Sequence, residues 1–224
     1  MLLEIPGLLN PPQLEKIHQV LEGAEFVDGK LTAGFAARRV KHNLELKQDA
    51  ERMRLLTRIL MSTLAHNETF RFAALPHRVA DFIFARYRAG MTYGDHVDDP
   101  IMGRATPRFR TDVSMTVFLT EPERYEGGEL VVRTAFGEKT VKLGAGDAVL
   151  YPSSSLHHVA AVSRGERLVA LTWIQSYVRD PARRELLYEL NLAREKLLKS
   201  SPEDAITGYV DRSYANLLRM WAEV

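Results

Sequence analysis

The sequence predicts a mainly β chain with flanking helices: a double-sheet jelly roll between an N-terminal helical support and a C-terminal helical appendage. The hydrophobic period switches from helical to strand-like and back along the chain. Between about His77 and Val178 the strand-length runs are short and punctuated by glycines 127, 128, 137, 144, 146 and 165. No helix-length segment separates those runs, which argues against a parallel doubly wound sheet.

Residues 1–76 form the first region. Asn10 followed by Pro11 suits a helix cap and first turn, with Leu14, Ile17 and Leu21 marking one face. Asp28-Gly29, between Phe26-Val27 and Leu31, reads as a hairpin turn. From about Gln48 to Ala65, Met53, Leu56, Leu60 and Leu64 recur at helical spacing. Residues 77–178 carry the expected strands Phe82 to Tyr87, Val113 to Leu119, Glu129 to Arg133, Lys139 to Leu143, Ala148 to Tyr151 and Leu168 to Tyr177. In residues 179–224, Asp180-Pro181 opens a helix with Leu186, Leu187, Leu190, Leu197 and Leu198 as its stripe, and Ser201-Pro202-Glu203-Asp204 opens another. The apolar stripe around Leu217, Leu218 and Trp221 suits a homo-oligomer contact or packing on the chain's own barrel; a homo-oligomer is the expectation.

A chain of 224 residues can bury one good core with helical additions but is short for two large domains. Thirty basic and 29 acidic side chains give a formal charge of +1, so charge offers no argument for nucleic acid or membrane as a partner. The absence of cysteine excludes disulfides, thiolate zinc sites, iron–sulfur clusters and a cysteine nucleophile. Any metal must be held by histidine and carboxylate. The start MLLEIPGLLNPPQ has no basic leader and breaks at Pro6, and no later run approaches the length of a spanning helix, so a cytoplasmic protein is expected.

The chemistry concentrates in the strand region. His96 and Asp98 stand two apart, and in extended backbone such side chains project to the same face. A His-x-Asp triplet alone is commonplace and more often a solvated loop. His157, sixty-one residues on, supplies a third ligand at the start of an expected strand. Two histidines and a carboxylate leave positions open for a bidentate keto acid and oxygen, the non-haem oxygenase arrangement. Arg167, ten residues after His157 and beyond an expected turn at Gly165, could grip the distal carboxylate of 2-oxoglutarate through its planar fork.

These residues sit within longer motifs: Arg86-Tyr87, Tyr93-Gly94-x-His96-x-Asp98, Arg110-Thr111-Asp112-Val113-Ser114 and Tyr125-x-Gly127-Gly128-Glu129-Leu130. They continue as Leu150-Tyr151-Pro152-Ser153-Ser154-Ser155-Leu156-His157, Arg164-Gly165-x-Arg167 and Trp173-Ile174-Gln175-Ser176. In these motifs, and over nearly its whole length, the chain resembles the bacterial PKHD-type (prolyl 4-hydroxylase-like) hydroxylases among the iron- and 2-oxoglutarate-dependent dioxygenases. The resemblance implies a double-stranded β-helix, iron(II) as metal, 2-oxoglutarate and oxygen as cosubstrates, succinate and carbon dioxide as products, and L-ascorbate as supporting reductant. It maps His96, Asp98 and His157 onto the iron ligands and Arg167 onto the oxoglutarate anchor. It also implies an association with bacterial iron and siderophore uptake. It does not identify the substrate, whether peptidyl or a small molecule.

His158 neighbours His157 but would point to the opposite face of a strand. Tyr87 and Tyr93 flank the ligand strand and could bind oxoglutarate or orient substrate; packing is the commoner role of such aromatics. Arg104, Arg108 and Arg110 could form a basic lid over an anionic substrate, or a solvated loop. Two rivals share much of this pattern. A cupin-like metal-binding non-oxygenase needs no Arg167, and an iron or oxoglutarate sensor would signal through the C-terminal helices; oxoglutarate turnover separates them from an oxygenase.

Overall fold

The computed structural model describes residues 1–35, 37–103 and 108–223. Its first elements are β1 (Leu3–Ile5) and α1 (Pro11–Leu21). Asn10 caps α1 by accepting from the Gln13 amide, and the Gln13 side chain accepts from the Asn10 amide in return. β2 (Phe26–Asp28) does not make the expected hairpin. Asp28 instead caps a single 3-10 turn, its carboxylate accepting from the Lys30 amide, and β2 finds its partner only after β3 (Lys41–His42), in β4 (Leu44–Leu46). Aspartate serves both caps and turns, so the local signal was ambiguous. α2 (Ala50–His66) and α3 (Glu68–Ala74) follow, capped by Asp49 and Asn67.

The strand region runs through β5 (Pro76–Val79), β6 (Ile83–Arg88), β7 (Thr92–His96), β8 (Ile101–Met102), β9 (Phe109–Arg110), β10 (Val113–Phe118), β11 (Tyr125–Gly127), β12 (Leu130–Thr134), β13 (Gly137–Val141), β14 (Ala148–Pro152), β15 (His157–Val159) and β16 (Val162–Ser176). The chain closes with α4 (Pro181–Ser200) and α5 (Ala205–Trp221). All strand pairings are antiparallel among the described residues. The larger sheet runs β1-β14-β10-β16-β6-β4-β2, the smaller β13-β12-β15-β7-β3. This is the expected jelly roll, with N-terminal strands added to the edges of both sheets.

Side-chain alternation gives the larger sheet two buried faces. Phe84, Met115, Val117, Leu168 and Ala170 meet the helical layer through Ile17, Leu56, Leu60 and Leu64. Ala85, Tyr87, Phe118 and Val169 meet Leu130, Val132 and Val159 of the smaller sheet. The site develops within this second interface.

Gly165 is not at a turn. It lies within the continuous strand β16, opposite Tyr125 of β11. Its φ is +78°, and a Cβ there would stand 2.2 Å from the Arg124 carbonyl oxygen. Gly165→Ala is therefore expected to destabilise the fold by at least about 2 kcal/mol, through left-handed strain and the clash with β11. Chemical denaturation checks this, and an unchanged midpoint would contradict it.

The stripe of Leu217, Leu218 and Trp221 packs on the chain's own Leu75, Val178, Leu187 and Tyr214. Of the proposed basic lid, Arg104 lies outside the described residues and Arg108 is exposed. Arg110 is committed elsewhere: its guanidinium donates to Asp112 at 2.7 Å, to Glu223 at 3.0 Å and to the Ser176 carbonyl. Asp112 in turn accepts from the Ser176 amide, and buried Arg184 donates to the carbonyls of Val178, Arg179 and Asp112. Among the described residues no helix is long and apolar enough to cross a membrane.

Candidate active site

β7 and β15 are neighbours in the smaller sheet, and His96 and His157 face each other in register. Asp98 follows two residues after His96, so all three side chains converge: one ligand atom from each lies within 4.8 Å of the others. The imidazole centroids are 4.2 Å apart, and the His157 Nε2 is 3.9 Å from an Asp98 carboxylate oxygen.

Each ring is oriented through its other nitrogen. His96 Nδ1 lies 2.8 Å from the Gly94 carbonyl oxygen and His157 Nδ1 lies 2.9 Å from that of Ser155. A carbonyl can only accept, so Nδ1 is a protonated nitrogen in each ring and Nε2 is the atom turned toward the place a cation would take. Burial first, and then neighbouring His157, push the His96 imidazole down to about 4, so it is neutral at physiological pH as a metal ligand must be. Asp98 accepts from the Ser114 hydroxyl at 2.5 Å, and Ser114 shares a bond with buried Ser153 at 2.8 Å. The donor set of two imidazoles and one carboxylate suits iron(II) with positions left open.

His158 faces the other way. Its Nδ1 meets exposed Asp95 at 3.0 Å, outside the site.

Arg167 enters the same pocket from the middle of the larger sheet, where it is 1% exposed and in register with Tyr87. Its Nε and Nη1 have no hydrogen-bond partner. A buried guanidinium without an anion is costly, and a carboxylate is the group that relieves it. Tyr87 stands with its ring centroid 5.0 Å from the guanidinium carbon. Burial pushes its phenol up to about 12 although Arg167 pulls the other way, so it remains protonated and can donate. Tyr93 stacks on His96 at 3.7 Å and 11°, and burial likewise raises its phenol. Both tyrosines line the pocket.

The structure gives positions in the site to residues that had no assigned role in the sequence. Ser114 steadies Asp98, and the buried Tyr125 hydroxyl lies beside Arg167 with no hydrogen-bond partner. Thr32, Lys41 and Glu45 form a polar stretch of the pocket wall. The signal for that wall was present as Lys41-His42-Asn43-Leu44-Glu45, whose polar residues at alternate positions all prove to be buried.

Comparisons with known proteins show the family. The family model of the 2OG-Fe(II) oxygenase superfamily matches residues 82–175, and that of the PKHD-type hydroxylase C-terminal domain matches residues 181–223. A PKHD-type hydroxylase of Thioalkalivibrio sulfidiphilus is 54% identical over 224 residues, covering 100% of both chains. One of Synechococcus elongatus is 44% identical over 223 residues, again covering 100% of both. Among solved structures, a Pseudomonas putida prolyl-4-hydroxylase shares the fold with a TM-score of 0.54 at 20% identity, covering 78% of this chain and 92% of that one.

Proposed function

The chain belongs to the PKHD-type hydroxylases of the 2OG-Fe(II) oxygenase superfamily, and from that premise we propose that His96, Asp98 and His157 hold the iron while Arg167 receives the distal carboxylate of 2-oxoglutarate. The protein is an iron(II)- and 2-oxoglutarate-dependent hydroxylase. The observation that carries the residue assignment is the meeting of three ligand atoms within 4.8 Å and a buried, half-unpartnered Arg167 in one pocket.

Iron(II) with 2-oxoglutarate and oxygen supplies the oxidation of a substrate C–H bond, with succinate and carbon dioxide as co-products. The protein's part is placement. The two carbonyl-bound imidazoles turn their Nε2 atoms to the metal position, Asp98 contributes a carboxylate, and Ser114 fixes the orientation of that carboxylate. Arg167 grips a carboxylate through parallel N–H donors, protonated Tyr87 adds a phenol donor beside it, and protonated Tyr93 adds one next to His96. Residues 77–178 act as the catalytic domain and 179–224 as support, while 1–76 support the domain and add Thr32, Lys41 and Glu45 to the pocket wall. L-ascorbate serves as reductant and the physiological setting is iron uptake, both carried over from family resemblance alone. The substrate is a peptidyl or small-molecule C–H donor.

Anaerobic titration of the iron(II)-loaded protein with 2-oxoglutarate tests the reading. A visible charge-transfer band that decays on oxygen exposure with formation of succinate is the expected result. Stoichiometric iron binding without a band would remove the keto acid from the site.

A further inference from the structure

Apart from the imidazoles, two basic side chains line the pocket among the described residues: Arg167 from the larger sheet and Lys41 from the edge strand β3 of the smaller one. If oxoglutarate takes Arg167, Lys41 remains. It is 7% exposed and ion-paired with Glu45, which is 2% exposed. Both oxygens of Glu45 are taken, one by the Lys41 ammonium and the other by the Thr32 hydroxyl. Lys41 also donates to Thr32 at 3.2 Å, which leaves one of its three N–H groups for something else. An apolar pair would hold such a wall at least as well, because desolvation cancels most of the attraction in a buried ion pair. The pair also stands close to the metal ligands. Lys41 is the register partner of Tyr93 and lies 5.3 Å from its ring centroid, and Tyr93 stacks on His96.

We propose that Lys41 anchors the primary substrate and that this substrate carries a carboxylate close to the carbon that is hydroxylated. Glu45 and Thr32 are positioning residues that hold the ammonium in place. The assignment rests on the reading of Arg167 as oxoglutarate anchor, so both are measured in one sample.

The iron(II)·2-oxoglutarate protein, kept anaerobic, is titrated with N-acetylglycine and separately with its amide, N-acetylglycinamide. Perturbation of the charge-transfer band reads occupancy beside the iron. The wild type and Lys41→Arg should respond to the carboxylate at concentrations at least tenfold lower than to the amide. Lys41→Met should weaken the carboxylate response at least tenfold while its 2-oxoglutarate titration stays within twofold. Lys41→Met/Glu45→Gln should do the same, and because it removes both buried charges together it guards against misfolding from an unpaired Glu45. Equal responses to the two probes, no carboxylate response in the wild type, or an unchanged one in both Met variants would overturn the proposal. So would parallel loss of 2-oxoglutarate affinity, which would assign Lys41 to the cosubstrate. An absent band overturns the Arg167 reading as well; a normal band without a Lys41-dependent response overturns this one alone.

Discussion

Arg167→Met should raise the 2-oxoglutarate concentration for half-saturation by about thirtyfold to a thousandfold, the loss of about 2–4 kcal/mol of charge-assisted hydrogen bonding. Iron(II) affinity should stay within about threefold. Stability should behave in a less familiar way. Arg167 is 1% exposed with Nε and Nη1 unpartnered, so the unliganded variant should melt no lower than the wild type. What it should lose is the protection that oxoglutarate confers, about 2.7 kcal/mol at a hundred times the dissociation constant. Thermal melts with and without the keto acid, alongside the charge-transfer titration, check both halves. A variant that keeps wild-type oxoglutarate affinity removes Arg167 from the site.

Asp98→Ala should have the second large effect. It deletes the only negative charge of the three-ligand set, so iron(II) affinity should fall by more than the ten- to hundredfold typical of losing a partner one shell out. Ser114→Ala, which removes only the hydroxyl bound to Asp98, should fall within that smaller range. Anaerobic competition with a colorimetric iron(II) chelator orders the two. If Ser114→Ala binds iron as poorly as Asp98→Ala, Asp98 is not the ligand and the carboxylate's role is structural.

What was legible in the sequence followed from local pattern. The strand Val113–Phe118 is readable because Val113, Met115 and Val117 face one layer, and α2 is readable from the spacing of Leu56, Leu60 and Leu64. His96 and Asp98 are readable as same-face neighbours. That His157 lies opposite His96 is a fact of strand pairing across sixty-one residues, which no local period encodes. The shortest elements were the hardest. β1, β3 and β4 have two or three residues each and take their conformation from the strands they join. Lys41 and Glu45 are buried at inward positions that periodicity expects to be apolar, so the pattern that finds a core strand passes over them. Gly165 looked like a turn because glycine usually marks one; here it permits the close approach of β11.

A clasp ties Glu223 to the segments around Arg110 and Tyr177. Glu223 donates its amide to the Tyr177 carbonyl at 2.7 Å and takes the Arg110 guanidinium on its carboxylate, while Asp112 ties that guanidinium to the Ser176 amide. Asp112 stands two residues before Ser114, whose hydroxyl holds Asp98. Opening of the clasp is therefore expected to slacken the Asp98 carboxylate as well. In linkage terms, a cation that binds only the closed arrangement lowers the fraction of molecules in which the tail is open. The amides of Ser176 and Glu223 are then expected to exchange more slowly when the centre is occupied, although neither residue touches it.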